Sequence, residues 1–186
     1  MNVKDNLAQT NDLMQKAVDY TKIQISKVRT GRATASLLDG VKVDYYGSPT
    51  PISQVAGIST PDARTIIIQP FDRTTLSSID KAIQAAGLGF NPQNDGTILR
   101  IPVPPLTEER RKEFVKMCKK YAEDGKITIR NIRRDQIELL KKAEKNKEFA
   151  EDERKKGEDE IQKLTDQFIK NIDTDLSVKE KELMEN

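Results

Sequence analysis

From residue 107 to residue 148 the chain carries one unbroken helical pattern, and a helix of that length leaves few folds open to it. Phe114, Cys118, Tyr121, Gly125, Ile129, Ile132, Gln136, Leu139 and Ala143 recur at steps of three and four, the spacing of a single buried stripe. With successive residues turned by about 100°, Lys119, Lys126, Arg130, Arg133, Arg134 and Lys141 are expected roughly opposite that stripe. A helix of forty residues is about 60 Å long. An isolated rod of that kind is not stable in water by propensity alone, so its apolar stripe needs partner helices.

Two further stretches supply them. Residues 3–29 place Val3, Leu7, Met14, Val18, Ile25 and Val28 on one stripe, with Lys27 and Arg29 expected in the last turn and Gly31 as a C-terminal cap. From about Ala150 to Met184, Ile161, Leu164, Phe168, Ile172, Leu176 and Leu183 form a third stripe. Its start is dense in acid (Glu151, Asp152, Glu153), as a helix N-terminus prefers. Only a short break near Asn146-Lys147 separates the second and third patterns. Three stripes of similar length predict a long three-helix bundle.

Between the first and second helices the period changes to that of strands. Val41-Lys42-Val43-Asp44-Tyr45 alternates, Thr65-Ile66-Ile67-Ile68-Gln69 is a short β-branched run, and Ile98-Leu99-Arg100-Ile101 follows the turn signal Asp95-Gly96. Gly47-Ser48-Pro49-Thr50-Pro51 reads as turn chemistry, and Thr74 to Gly87 as one short helix. Tyr45 and Tyr46 are neighbours, so one is expected in the core and the other on the surface. The fold class is therefore α+β. A bundle of residues 1–30 and 107–186 carries an inserted module over 31–106. The joints are Thr30-Gly31-Arg32 and Pro102-Val103-Pro104-Pro105, and Thr107 precedes Glu108 and Glu109 as a helix cap.

Composition narrows the chemistry. The chain of 186 residues has no His, no Trp and a single Cys118. The commonest general base and the commonest transition-metal ligand are thus missing, and Cys118 reads as a buried structural thiol. No phosphate-loop, dinucleotide or nucleophile-elbow motif occurs, so no catalytic residue, metal or cofactor is expected. No apolar run approaches a membrane span and residues 1–7 lack a signal-peptide core, so a cytoplasmic protein without a membrane partner is expected. The net charge of +2 is uneven. Residues 107–148 hold 14 basic and 9 acidic side chains, while 149–186 hold 7 and 12. A charge run is ordinarily a solvated face. Concentrated on one helix and rich in Arg, this one also suits a nucleic-acid backbone, because guanidinium groups pair bidentately with phosphate.

Particular strings resemble those of the bacterial ribosome recycling factor family. They are Gln24-Ile25-Ser26-Lys27-Val28-Arg29-Thr30-Gly31-Arg32-Ala33, Leu37-Leu38-Asp39-Gly40, Tyr45-Tyr46-Gly47-Ser48-Pro49-Thr50-Pro51 and Pro104-Pro105-Leu106-Thr107-Glu108-Glu109-Arg110-Arg111-Lys112. Ile129-Arg130-Asn131-Ile132-Arg133-Arg134-Asp135, Gln162-Lys163-Leu164-Thr165-Asp166 and Lys179-Glu180-Lys181-Glu182-Leu183-Met184 carry the resemblance to the end of the chain. The resemblance implies a three-helix bundle and a β/α/β domain set as an L, similar in outline to transfer RNA, with hinges at Thr30-Gly31 and Pro104-Pro105. It implies a non-catalytic translation factor that splits post-termination ribosomes with elongation factor G and GTP; a monomer is expected because the apolar positions suffice only for the three helices.

The family's ribosomal-RNA contact corresponds to Arg133, with Arg130 and Arg134 beside it. Arg110, Arg111, Arg29 and Arg32 lie in matching strings and are further candidates, although either pair could instead pin the joints or cap the bundle. One departure is Ala150, where a capping Ser is expected. The competing reading is a helical adaptor or chaperone-like module whose rod pairs with protein partners. That reading requires an apolar stripe left over after the bundle forms, and the apolar positions suffice only for three helices to cover one another. A stacking RNA-binding module lacks the aromatic strand it would need.

Overall fold

The structure is a computed structural model that describes residues 2–185. It divides into two compact units. One holds the chain up to Arg29 together with Glu108–Glu185, and the other holds Thr30–Thr107. The helical unit is built from α1 (Val3–Ser26), α4 (Glu108–Lys145) and α5 (Glu151–Met184). Each of these helices packs on both others. The second unit holds β1 (Lys42–Tyr45), β2 (Ser48–Pro51), a single turn α2 (Ile52–Val55), β3 (Ala56–Asp62), β4 (Thr65–Pro70), α3 (Leu76–Ala85), β5 (Gln93–Asn94) and β6 (Leu99–Pro102).

The bundle core is apolar along most of its length, with Met14, Cys118, Ala122, Ile129, Leu140, Ile161, Ile172 and Leu183 buried. The stripes are not those of the simple helical count. On α1, Asn6, Thr10 and Thr21 take inward positions, while Val3 and Leu7 are only half-buried. On α4, Ala122 and Leu140 are buried, and Phe114, Tyr121, Ile132 and Leu139 sit half-exposed on its shoulders. A helix packed by two neighbours is covered on both flanks, so its most buried line lies between them. The inward polar groups are bonded, apart from Asn6 Oδ1, which is buried without a hydrogen-bond partner among the described residues. Asn6 Nδ2 donates to Gln136 Oε1 at 2.8 Å, and the hydroxyls of Thr10, Thr21 and Thr165 donate to backbone carbonyls four residues earlier. Cys118 is fully buried, and burial pushes its thiol above the ordinary range.

Close approach of α1 to α4 depends on Gly125. A Cβ at that position would overlap the Thr21 hydroxyl and stand 2.9 Å from Thr21 Cγ2. Gly157 has the same role on α5, where a Cβ would come within 2.9 Å of Leu140 Cδ1 and Val3 Cγ1.

The ends of the helices are handled in different ways. α1 starts on Asn2, whose side chain accepts from the Asp5 N–H at 2.7 Å. It stops at Ser26, so Lys27 and Arg29 lie beyond its last turn and Gly31 is not its cap. α4 closes with Lys147 in the left-handed region (φ 59°). There the Glu148 N–H reaches Ala143 O and the Lys147 N–H reaches Glu144 O, a Schellman closure made without glycine. α5 begins on Ala150 with no side-chain cap. Arg154, beside that uncapped start, ties the turn instead. Its guanidinium meets Glu158 at 2.6 Å, Glu144 at 2.8 Å and Glu151 at 3.8 Å.

The second unit contains more strand than its sequence pattern suggests. β1 and β2 form a hairpin whose turn residues, Tyr46 (φ 50°) and Gly47 (φ 81°), are both left-handed, the geometry of a type I′ turn. Ser48–Pro51 is therefore strand and not an extended turn. Its two prolines are two residues apart and fall at alternate pairing positions of an edge strand, where their missing N–H is harmless. β3, β4, β6 and β5 make an antiparallel sheet in that order. β3 shifts register between Ser59 and Asp62, and this irregularity accommodates Pro61. Val43, Ile66, Ile68, Ile79, Ile83, Leu99 and Ile101 form the core between sheet, hairpin and α3. Tyr45 packs on that core and Tyr46 is 78% exposed, dividing the pair as the sequence suggests.

Both chain segments that leave this unit are bonded to the turn between β3 and β4. The Ala33 N–H donates to Ala63 O and the Val103 N–H to Arg64 O, each at 2.8 Å. Beyond those anchors Gly31 (φ 76°) lies against Leu106, whose Cγ would be 2.8 Å from an added Cβ.

Gly125→Ala tests the helix spacing. Overpacking costs about 1–3 kcal/mol, against a gain of about 1 kcal/mol in helix propensity. We expect a net loss of up to about 2 kcal/mol in urea unfolding, recovered when Thr21→Ala is added. A gain in stability from Gly125→Ala alone would show the contact to be loose. Ala150→Ser should add about 1 kcal/mol by supplying the absent cap, read from the same unfolding curves.

Candidate nucleic-acid interface

The cationic side chains of α4 are held by the helix that carries the buried stripe. Their geometry differs from the expected opposed face. At about 100° per residue Arg133 lies about 50° from the buried line, Arg130 about 110° and Arg134 about 150°, so the run flanks the core instead of forming one opposed face. Lys126 and Arg133 occupy the shoulder toward α5 and are half-buried, whereas Arg130 and Arg134 are exposed. The reason is again the third helix, because a two-faced wheel describes a helix with one partner and α4 has two.

That shoulder sorts the cations by partner. Lys126 Nζ meets Asp173 of α5 at 3.0 Å and Glu123 at 3.3 Å. The Asp173 contact, followed by Glu123, holds its ammonium above the ordinary range. A raised cation contributes stability that is full below its unfolded value and lost only as pH climbs through the folded one. This tie is therefore intact throughout the neutral range. Arg130 Nη1 pairs with Glu123 at 3.1 Å. The Arg130 hydrogen bond, followed by Lys126, holds the Glu123 carboxyl below its ordinary value of 4.5. A depressed carboxylate works the other way: the pair is complete at neutral pH and is lost only as pH falls through that lowered value.

Arg133 and Arg134 differ from both. Arg133 Nη1 donates to Gln162 Oε1 of α5 at 2.9 Å, and Arg134 Nη2 donates to Asn131 Oδ1 at 3.1 Å. Both partners are neutral amides. Among the described residues neither guanidinium has a carboxylate within ion-pair distance. Together with Lys141, Ile137, Glu138 and Gln162 they line a shallow depression of about 420 Å³. Glu138, its one acid, is paired with Lys142 at 3.2 Å. The site therefore offers uncompensated planar cations on a rigid helix. Such groups bind phosphate oxygens without reading sequence.

The other candidates lie elsewhere. Arg110 and Arg111 are at the start of α4, some twenty residues or about 30 Å along the helix from Arg130. Arg110 pairs with Glu113 at 2.9 Å. Arg111 Nη1 reaches across to the carbonyl of Met184 at 3.4 Å, engaging the last turn of α5. Arg29 is exposed just after α1 in the helical unit, and Arg32 is exposed in the second unit, its N–H donating to Thr30 Oγ1 at 3.4 Å. Pro104 and Pro105 lie in the irregular segment between β6 and α4. Gln162, Asp166, Asp173 and Glu123, which set the state of the cations, are not apparent as site residues in the sequence. Glu123 stands seven residues before Arg130 and could be read from the helical wheel. The α5 partners depend on how two helices are registered, which no local pattern gives.

Among the described residues no cluster of three or more His, Cys, Asp or Glu is placed to hold a metal, and no helix is long and apolar enough to cross a membrane.

Glu123→Gln should release Arg130 and raise the salt concentration needed to elute the protein from heparin. The gain should vanish in the Glu123→Gln, Arg130→Gln double variant. Unchanged elution of the single variant would mean that Arg130 is not restrained by this pair.

Residues 21–184 match the family described as ribosome recycling factor. The chain is 54% identical over 185 residues to the ribosome-recycling factor of Nitratidesulfovibrio vulgaris strain DP4, covering all of both chains. It is 55% identical over 177 residues to that of a Synechococcus species, covering 95% of this chain and 97% of the relative. Among solved structures, a solution structure of the ribosome recycling factor aligns over 100% of this chain and 99% of its own, at 39% identity and a TM-score of 0.77. The Thermus thermophilus factor, in models that place it with the Escherichia coli elongation factor G on the Escherichia coli post-termination complex, aligns over 98% and 99% at 45% identity and a TM-score of 0.64.

Proposed function

The chain belongs to the ribosome recycling factor family, and on that premise we propose that it disassembles post-termination ribosomes together with elongation factor G. In this reading it is a translation factor with no reaction of its own. The partner hydrolyses GTP, and the protein supplies a rigid body through which the resulting motion separates the subunits. It acts as a monomer in the cytoplasm.

One observation carries the docking half of the proposal. Arg133 and Arg134 are held by neutral amides on a helix clamped from two sides, so their charge is intact and their position is restrained. They dock on large-subunit ribosomal RNA by phosphate contact, with Arg130 joining once it exchanges Glu123 for a phosphate. Arg110, Arg111, Arg29 and Arg32 are flanking cations of the same contact, and Arg111 also secures the end of α5. The small unit swings about Thr30-Gly31 and Pro104-Pro105, the short segments that lie beyond its anchors on the β3–β4 turn. The assembly of a 45% identical relative with elongation factor G on a post-termination complex supports the choice of partner.

The test is binding to isolated large ribosomal subunits across a salt series. Removing one phosphate contact lowers the dependence of log affinity on log salt by about one unit. We expect Arg133→Ala to weaken binding and flatten that slope, with the helical circular dichroism spectrum unchanged. Normal binding by a folded Arg133→Ala protein would contradict the docking surface.

A further inference from the structure

We infer that Gln162 on α5, oriented by Asp166, is a positioning residue for Arg133. The inference rests on the docking reading above and adds to it the element that aims the principal cation. Arg133 is the one arginine of the Arg130–Arg134 run that is tied to another helix. Its tie is a chain of two hydrogen bonds. Asp166 Oδ1 accepts from Gln162 Nε2 at 2.8 Å, and Gln162 Oε1 accepts from Arg133 Nη1 at 2.9 Å.

The order of these bonds has a chemical consequence. An amide side chain can present either an oxygen or an NH2 group. The Asp166 carboxylate accepts only, so it takes the NH2 end of Gln162 and turns the carbonyl oxygen toward Arg133. A guanidinium donates only, and this arrangement satisfies both ends without conflict. The acceptor offered to Arg133 carries no formal charge. It fixes one nitrogen of the guanidinium and leaves the remaining N–H groups and the full positive charge for a ligand. A carboxylate at the same position would also aim the side chain but would cancel its charge, as Glu123 does for Arg130. A neutral amide is thus the side chain that orients an arginine without neutralising it.

The contact also spans two helices. Lys126–Asp173 and Arg133–Gln162 lie along the same α4–α5 seam, about two helical turns apart on α4 and about three on α5. The first is an ion pair that holds the helices together; the second leaves its cation available. Gln162 is exposed and lies outside the buried core, so its variants are expected to fold, which thermal unfolding checks.

The experiment compares Gln162→Glu, Arg133→Ala and the double variant with the unaltered protein in large-subunit binding at several salt concentrations. Thermal unfolding of each protein is followed in parallel. A new carboxylate beside Arg133 should weaken binding about tenfold, the size of one charge-assisted contact, and lower the salt slope by about one unit. The double variant should bind no worse than Arg133→Ala, because Gln162 acts through that arginine. Gln162→Leu, which removes the restraint and keeps the charge, should weaken binding less and leave the slope unchanged. If Arg133→Ala weakens binding while Gln162→Glu does not, or if the two losses add in the double variant, the positioning role is overturned and the docking surface stands. If Arg133→Ala binds normally, the docking reading fails and this inference with it.

Discussion

The packing of α4 against two helices at once is the constraint on which the rest of the molecule depends. A 38-residue helix with so many charged residues has little to hold it straight except a narrow buried line. That line is made narrow by small residues. Gly125 admits Thr21 of α1, Ala122 and Ala143 are buried without bulk, and Gly157 of α5 admits Leu140. Close spacing fixes how the helices approach, and a polar pair fixes where. Asn6 and Gln136 are both buried and bonded to each other, so sliding α1 along α4 by one turn would strand two amides in the core. Leaving such groups unpaired costs about 1–3 kcal/mol each. The same device sets register in coiled coils through single buried polar residues.

Register in turn determines the electrostatics. With α5 fixed against α4, Asp173 comes opposite Lys126, Glu180 comes within 3.5 Å of Lys119, and Gln162 comes opposite Arg133. The acidic excess of α5 therefore does not blanket the basic excess of α4. It is directed to particular lysines along the seam and to Arg154 at the closing turn, where three glutamates gather. Within the Arg130–Arg134 run, Arg133 and Arg134 keep neutral amide partners and no ion pair among the described residues. The bundle thus keeps stabilising pairs and docking charges on one helix without the two interfering.

Much of the architecture is legible in the sequence because long helices write a strong period. The three helices, the interruption at 146–150, strands β1, β4 and β6 and helix α3 all follow from spacing and turn residues. β2 and β3 do not. Pro49, Pro51 and Pro61 hide them, since proline reads as a break until it is known to sit at an edge or an irregular step in the sheet. Gly31 reads as a cap from its place after an apolar run, yet α1 stops at Ser26 and the glycine instead allows a left-handed backbone against Leu106. Of the interface, the arginines are visible in the string itself, and Glu123 is visible on the same helix. Gln162 and Asp166 are visible only as members of a resembling string, because their relation to Arg133 is tertiary. Grouping Arg133 with an opposed cationic face also places it too far from the core, since that grouping counts one partner helix where there are two.

The decisive measurement is a sucrose-gradient profile of post-termination polysomes incubated with this protein, elongation factor G and GTP, together and singly, with Arg133→Ala run beside the unaltered protein. Recycling driven by an arginine-docked rod requires conversion of polysomes to monosomes and subunits only when all three are present, and little conversion with Arg133→Ala at the same concentration. Conversion that proceeds equally well with Arg133→Ala would contradict it, as would failure of the complete mixture with a matched elongation factor G.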